Sequence, residues 1–308
     1  MKQNQEIIEN FYKKIENKGY KARFVDAKHI PDLKNDIQQQ KAYMYPKFYE
    51  EYKKYFEFIP EVDFGIIKSL IVIAVPVPQF EITFQYNSKP LSLKIPPTYL
   101  YGQKIVDDLE ELSKSILNPE GYNINYGRFP VKTLAVRSGL AKYGRNNITY
   151  VSGMGSFHRL VPFYSDVPIE EDIWVEREMM DECEKCNACM NNCPTGAISN
   201  ERFLLKVDRC LTYHNEQPGH VPFPEWIDRS WHNCIVGCLH CQKVCPMNKK
   251  VKNWIEKGPS FNEKETKILL QGTNFDDLPQ ELKNKFKEYD FMNDFETIPR
   301  NLGVFLNE

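Results

Sequence analysis

The spacing of apolar residues predicts alternating strands and helices through the N-terminal half of this 308-residue chain. Residues 69–77, SLIVIAVPV, form a continuous apolar run, which is typical of a strand buried on both faces. Residues 103–117 instead place apolar side chains at helical spacing and acids on the opposite side. Further helices are predicted at 5–17, 31–55 and 133–143, and further strands at 21–25, 148–151 and 160–164. Residues 80–93 read as a hairpin that turns at Asn87-Ser88, and the alternation as a whole indicates an α/β domain.

The last part of the chain has a simpler pattern. Apolar residues recur at helical spacing in 263–270 and 278–289, and a short ending, IPRNLGVFLNE, follows. These segments are too short for an independent domain. We therefore expect them to clasp the region that precedes them.

All nine cysteines lie between Cys183 and Cys245. Seven of them form two runs with spacings of two or three residues, each run ending in Cys-Pro, and two more lie between the runs. This is the spacing of a bacterial two-cluster ferredoxin, in which three cysteines of a run bind one 4Fe-4S cluster and the cysteine before proline binds the other. The predicted ligands of the first cluster are Cys183, Cys186, Cys189 and Cys245. Those of the second are Cys193, Cys238 and Cys241, with Cys210 or Cys234 as the isolated fourth ligand.

Other readings of the cysteines explain less of the pattern. Structural zinc is bound by four ligands in two pairs and does not need eight thiols with two Cys-Pro endings. A disulfide framework belongs to exported chains, and the first residues, MKQNQEIIENFYKKIENKGYK, lack an apolar signal segment. No run approaches the ~18 apolar residues of a membrane span. We expect a cytoplasmic protein with no membrane contact.

Charge is unevenly distributed along the chain. The net charge is −2, with 40 basic and 42 acidic residues, which argues against general nucleic-acid binding. Residues 121–165 contain no Asp or Glu, however, and carry six of the basic residues. These are Arg128, Lys132, Arg137, Lys142, Arg145 and Arg159. Residues 121–165 of the expected N-terminal domain therefore carry a local excess of positive charge.

Length and cysteine position together suggest three segments, since domains usually run to ~100–200 residues. We expect an α/β domain at 1–175, a double 4Fe-4S ferredoxin-like α+β module at 176–250, and short C-terminal helices at 251–308.

Several motifs resemble those of epoxyqueuosine reductases and their unassigned relatives. They are RSGLAKYGRNNI at 137–148, MGSFHRL at 154–160, CPTGAI at 193–198, Arg209-Cys210, and the run from Gly237 to Pro246. The cluster segment is also similar to that of reductive dehalogenases. The resemblance covers about residues 65–250, and the family usually has a cysteine at the position of Cys210, which favours Cys210 over Cys234.

This resemblance implies a fold and a cofactor. The N-terminal domain would be a degenerate nitroreductase-like domain that binds cobalamin. A soluble low-potential donor, ferredoxin or flavodoxin, would pass electrons through the two clusters to cobalt, which reduces a substrate. The residues that the resemblance and the local charge nominate for cofactor binding are Arg128, Arg137, Tyr143, Arg145, Asn146 and His158, although a structural role is the alternative for His158.

One departure from the family bears on the substrate. Epoxyqueuosine reductases have an aspartate general acid about thirteen residues before the position of Ser138, and here 121–165 holds no carboxylate. Tyr126 is the candidate proton donor in its place, and packing is its alternative role. A missing acid and a limited basic surface argue against a tRNA substrate.

Two functions stay open. The first is a cobalamin-dependent reductase of unknown substrate. The second is an electron-transfer protein with two 4Fe-4S clusters and no catalysis of its own, which delivers electrons to a partner such as a corrinoid protein. No flavin motif is visible.

Overall fold

A computed structural model describes residues 2–200 and 204–306, which fold as two compact units. Unit 1 comprises Met1–Pro76, Lys104–Cys186 and Ser199–Lys206, and unit 2 comprises Val77–Gln103, Asn187–Ile198 and Val207–Glu308. Both units are discontinuous in sequence. The contiguous segments 1–175, 176–250 and 251–308 stay a prediction.

The centre of unit 1 is a four-stranded antiparallel sheet. Its strands are β1 (Lys21–Asp26), β2 (Ser69–Pro76), β5 (Ile124–Tyr126) and β8 (His158–Ser165), in the order β1-β2-β8-β5. Seven of the eight residues of β2 are buried, because this strand is flanked by β1 and β8 and covered on both faces. The sequence-based prediction for this strand is confirmed.

Helices cover the sheet of unit 1. α1 (Lys2–Glu16) packs on β1, where the Phe11 and Phe24 rings meet edge to face with centroids 5.0 Å apart. α2 (Ile30–Gln40) and α5 (Val131–Arg137) share one apolar core with β2, which includes Leu33, Val72 and Leu134. α4 (Gly102–Leu117) is the predicted amphipathic helix and lies in unit 1 from Lys104 onward. A short hairpin of β6 (Lys142–Tyr143) and β7 (Thr149–Tyr150) completes the set.

Two helix predictions were too long. The predicted helix 31–55 is α2 and a separate α3 (Pro46–Tyr52), with a break between them. Pro46 excludes the helical conformation for Tyr45, whose ψ is 122°, so a new helix begins at the proline. The predicted helix 133–143 ends at Arg137 because Gly139 adopts a left-handed φ of 70°.

Unit 2 contains a mixed three-stranded sheet. β3 (Gln79–Tyr86) and β4 (Lys89–Ile95) form the predicted hairpin, and β9 (Ile255–Phe261) pairs parallel to β3. Sequence analysis missed β9, because Gly258-Pro259 interrupts its pattern and only two of its seven residues are buried. α9 (Glu263–Leu270), α10 (Gln280–Glu288) and α11 (Ile298–Leu306) pack around a core that includes Phe84, Phe261 and Phe286.

Mixed α/β architecture is therefore confirmed. Among the described residues no helix is long and apolar enough to cross a membrane.

Candidate iron-sulfur and cofactor sites

The cysteines lie on turns and at the ends of very short helices. Cys183 and Cys186 belong to unit 1, and the other seven belong to unit 2. Within unit 2, the segment that holds the cysteines contains three helices of four or five residues: α6 (Ala188–Asn191), α7 (Leu211–Asn215) and α8 (His240–Lys243). None of the nine thiols forms a disulfide. All nine are thus free thiols, and within residues 2–200 and 204–306 no group of three or more of these side chains is already arranged around a metal position.

Cys210 has several hydrogen-bond donors around its sulfur. It precedes α7, and the backbone N–H groups of Thr212 and Tyr213 and the Thr212 hydroxyl all donate toward the thiol. Burial nevertheless raises the pKa of this thiol. N–H donors at the start of a helix that point to a sulfur are the outer-shell contacts that stabilise a metal-bound thiolate.

Cys234 has a different environment. It is fully buried beside Ile235 and Val236, and burial raises the pKa of its thiol to about 12, against one opposing hydrogen bond from the Leu239 N–H. Without a metal this cysteine is a protonated thiol in an apolar setting.

A second group of thiols surrounds Cys238. Burial raises the pKa of the Cys238 thiol, and the nearby Cys234, Cys210 and Cys193 raise it further. Mutually repelling thiolates become stable when they share a metal centre, which deprotonates them. The thiols close enough to influence Cys238 thus include Cys193 and Cys210, two further predicted ligands of the second cluster, and also Cys234.

The loop before Cys238 leaves no room for a side chain. Gly237 adopts φ +68°, and a Cβ on it would meet the Tyr99 hydroxyl at 2.6 Å. Asn215 Nδ2 donates to the Gly237 carbonyl oxygen at 2.7 Å. These contacts fix the backbone that presents Cys238.

Two histidines near the cysteines, His214 and His240, bind backbone carbonyl groups. Nε2 of His214 lies 2.8 Å from the Asp208 carbonyl oxygen, and Nε2 of His240 lies 2.9 Å from that of Trp231. These nitrogens therefore donate to carbonyls and not to sulfur.

Arg137, predicted to bind cofactor, is engaged inside unit 1. Its Nε and Nη2 donate to the two carboxylate oxygens of Asp36 at 3.0 and 2.9 Å, and Nη1 donates to the Val175 carbonyl oxygen at 3.2 Å. Glu176 lies 3.2 Å from Nη1, and Arg177 shares Asp36 at 3.1 Å. Through these bonds Arg137 connects α5, on which it lies, to α2 and to the segment that leads to Cys183.

Arg145 also contacts protein, but with uncharged partners. Its Nε donates to the Cys186 carbonyl oxygen at 3.2 Å, Nη2 to that of Cys183 at 2.5 Å, and Nη1 to Asn200 Oδ1 at 2.9 Å. Arg128 differs again, because it is exposed and pairs with Glu57 at 3.3 Å. The positive charge of residues 121–165, here called the acid-free stretch, is thus partly neutralised by carboxylates from other segments, including Asp36, Glu57 and Glu176.

The remaining nominated residues build the scaffold. Asn146 Nδ2 donates to the Tyr150 hydroxyl at 3.0 Å, and the Tyr143 hydroxyl lies 3.2 Å from Thr133 Oγ1, with burial raising the pKa of Tyr143 to about 12. His158 Nδ1 donates to the Gly155 carbonyl oxygen at 3.1 Å, and Nε2 lies 3.1 Å from Thr149 Oγ1. Burial lowers the pKa of His158 to about 4, so the ring is neutral. The structural role weighed for His158 matches these contacts.

Tyr126 lies on β5 with 46% of its surface exposed, and its ring meets Phe163 edge to face. Neither its catalytic role nor the cofactor roles above are tested by these contacts, and they stay predictions.

Sequence analysis missed Arg300, which lies far from the cysteines in the chain. Its guanidinium donates to the carbonyl oxygens of His214 and Asn215 at 3.0 and 3.1 Å and to that of Val221 at 2.7 Å. Through this residue α11 holds the loop that follows Cys210. No local motif signals such a contact.

Comparison with known proteins agrees with this geometry. Residues 182–248 match the family model of the 4Fe-4S double cluster binding domain. The chain is 31% identical to epoxyqueuosine reductase of Aliivibrio fischeri over 153 residues, 49% of this chain and 38% of that protein. It is 27% identical to the Bacillus anthracis enzyme over 249 residues, 74% of this chain and 61% of that protein. The chain thus spans less than two thirds of the length of these relatives.

Solved structures show the same fold. Epoxyqueuosine reductase from Bacillus subtilis, with its catalytic loop swung out of the active site, superimposes with a TM-score of 0.68 at 22% identity, over 99% of this chain and 81% of that one. A structure of the enzyme with a tRNA-Tyr epoxyqueuosine-modified stem loop gives a TM-score of 0.64 at 19% identity, over 99% and 81% of the two chains.

Proposed function

We propose that the chain is an iron-sulfur oxidoreductase of the superfamily that contains the epoxyqueuosine reductases, to which it is similar. The predicted cysteine ligands would hold two 4Fe-4S clusters, which would supply electrons from a soluble low-potential donor, ferredoxin or flavodoxin, and a bound cobalamin would supply the centre at which a substrate is reduced. The observation that carries the proposal is the thiol set between Cys183 and Cys245, which matches the double-cluster family.

The cobalamin is proposed from the superfamily and not from side-chain contacts. Arg137, Arg145, Asn146 and His158 give their polar groups to protein partners in unit 1. The structure therefore identifies no set of side chains that holds a corrin. When bound, cobalamin supplies a nucleophilic cobalt centre. Further contacts of the cofactor would come from backbone and from residues that the sequence did not nominate.

A spectrum tests the cofactor directly. Anaerobic protein is incubated with cobalamin, passed through a desalting column, and examined in the visible range. Corrin absorption that stays with the protein, beyond the broad ~400 nm band of thiolate-bound clusters, supports the proposal. Loss of all corrin with both clusters intact favours the second candidate, an electron-transfer protein that delivers electrons to a partner.

The proton donor is the least determined part of the proposed chemistry. Breaking a carbon-oxygen bond leaves an alkoxide, and a positioned acid typically contributes ~10²–10⁴-fold. Tyr126 is one candidate. The fold also brings Glu57 to the acid-free stretch, where its N–H donates to the Arg128 carbonyl oxygen at 2.9 Å and its carboxylate faces the Arg128 side chain. Glu57 is the carboxylate that sequence analysis could not associate with this region.

The relatives suggest a tRNA substrate, whereas the missing acid argues against one. Complementation of a strain that lacks epoxyqueuosine reductase, scored by queuosine in tRNA, tests whether this chain reduces epoxyqueuosine. We expect restoration below the normal rate. Full restoration would show that tRNA is the substrate, and loss of restoration in Glu57→Gln or Tyr126→Phe would identify the donor.

A further inference from the structure

Arg145 differs from Arg128, Arg137 and Lys142, three other basic residues of the acid-free stretch, in the nature of its partners. It is 7% exposed, and all three of its bonded groups are uncharged oxygens. Arg137 is paired with Asp36, Arg128 with Glu57, and Lys142 lies 4.0 Å from Asp181. Within residues 2–200 and 204–306 no carboxylate lies within ion-pair distance of Arg145. A buried positive charge without a carboxylate needs another source of compensation.

The two carbonyls that Arg145 binds belong to predicted cluster ligands. Cys183 and Cys186 are the first two cysteines of the first run, and both carbonyls are held by one rigid guanidinium fork. A planar guanidinium with several fixed donors loses little conformational entropy for each hydrogen bond that it forms. It is therefore well suited to holding a backbone loop in one conformation. The third contact, to Asn200, ties the same side chain to the segment that follows the first Cys-Pro ending.

We propose that Arg145 is a positioning residue for the cluster that Cys183 and Cys186 ligate, and that its charge raises the reduction potential of that cluster. The inference rests on the proposed function, because it requires the cluster. The fork fixes the ligand loop, and the anionic cluster compensates the arginine. The reaction concerned is a one-electron transfer, in which the soluble donor is oxidised and the cluster is reduced by the same electron.

Electrostatic magnitude supports this role. A carbonyl oxygen and the sulfur of the same cysteine are a few bonds apart, so the guanidinium lies within roughly 8 Å of each sulfur. At an effective dielectric of ~20, a unit charge about 12 Å away already changes a one-electron equilibrium about tenfold. Reduction adds negative charge to the cluster. Removing the arginine must therefore disfavour the reduced form.

The experiment compares three variants in the full chain, purified anaerobically. Arg145→Met removes the charge and the fork, Arg145→Lys keeps the charge and removes the fork, and Lys104→Met, which removes an exposed charge from α4, is the control. Redox titration monitored by electron paramagnetic resonance gives the potentials of the two clusters. Iron release to a chelator gives their kinetic stability.

We expect Arg145→Met to make one of the two clusters at least tenfold harder to reduce, about 59 mV for a one-electron couple. The other cluster should shift by less, and the Lys104→Met control should leave both potentials unchanged. Arg145→Lys should keep the potential near that of the natural protein and release iron faster, because a lysine does not hold both carbonyls. Comparison of the two variants thus distinguishes the effect of the positive charge on the potential from the effect of the guanidinium fork on the order of the ligand loop.

Unchanged potentials in Arg145→Met, or an equal shift of both clusters, would overturn the inference while leaving the proposed function intact. If Arg145→Met does not fold, Arg145→Lys still decides, since iron release equal to that of the natural protein contradicts the positioning role. Absence of clusters from the natural protein would instead contradict the proposed function itself.

Discussion

The sulfur atoms of Cys210 and Cys234, the two candidates for the isolated ligand, have different surroundings. Cys210 receives hydrogen bonds from two backbone N–H groups and from the Thr212 hydroxyl, whereas the fully buried Cys234 receives one, from the Leu239 N–H. A cluster ligand is expected to have donors directed to its sulfur. The contacts therefore support Cys210 as the isolated ligand.

Substitution of the two cysteines tests this choice. Cys210→Ala should remove or convert one cluster and lower the iron content by up to about half, because each cubane holds four irons. Cys234→Ala should retain both clusters and serves as the matched control. Iron analysis and electron paramagnetic resonance of the reduced proteins check it. The opposite pattern would exchange the roles of the two cysteines.

Asp36 is buried and forms ion pairs with two arginines. Its side chain is 1% exposed and contacts Arg137 and Arg177. Asp36→Asn should lower the free energy of unfolding by about 3–5 kcal/mol, because it removes the buried carboxylate that both arginines share. Glu57→Gln, which breaks the exposed pair with Arg128, should cost about 0–1 kcal/mol. Anaerobic urea unfolding measures both, and equal losses would contradict the account.

His158 should make stability depend on pH. Burial lowers its pKa from 6.5 to about 4, and the nearby Lys132 lowers it as well. The unfolded chain binds a proton below pH 6.5 and the folded chain does not until pH 4. This contribution to stability, up to about 3 kcal/mol, is present above pH 6.5 and lost as pH falls to 4. Unfolding of His158→Gln should show a weaker pH dependence across that window, and an unchanged slope would contradict the assignment.

At the scale of elements, local pattern predicted the long, strongly periodic segments. The strand at β2, the hairpin of β3 and β4, and the helix α4 lie close to their expected positions. The break before Pro46 and the end of α5 at Gly139 depend on backbone conformations that single residues impose. β9 is stabilised by pairing with β3, a partner more than 170 residues away in sequence, so its own residues carry little signal.

The hairpin turn allows a stabilising substitution. Asn87 and Ser88 have φ of 48° and 61°, as in a type I′ turn, and glycine is preferred at the second of these positions. Ser88→Gly should stabilise the protein by about 1 kcal/mol, because a left-handed conformation costs a serine more than a glycine. Ser92→Gly, on an exposed position of β4, is the control and should destabilise by about 0.5–1 kcal/mol. Thermal unfolding checks the signs, and a loss of stability in Ser88→Gly would argue against this turn.

For the whole molecule, cysteine spacing predicted the double-cluster segment because its ligands are close in sequence and chemically specific. The partners of the acid-free stretch could not be predicted in this way. Asp36 lies 101 residues before Arg137, and Arg300 lies 86 residues after His214. Charge summed along a sequence shows where cations occur, but only the fold shows which of them are neutralised.

The central claim is that this chain carries two 4Fe-4S clusters, and the most direct test is metal analysis of anaerobically purified protein. Iron and acid-labile sulfide are measured per chain, and electron paramagnetic resonance follows stepwise reduction. We predict about eight irons and about eight sulfides per chain and two one-electron couples. About four irons with a single couple, or zinc in place of iron, would contradict the account.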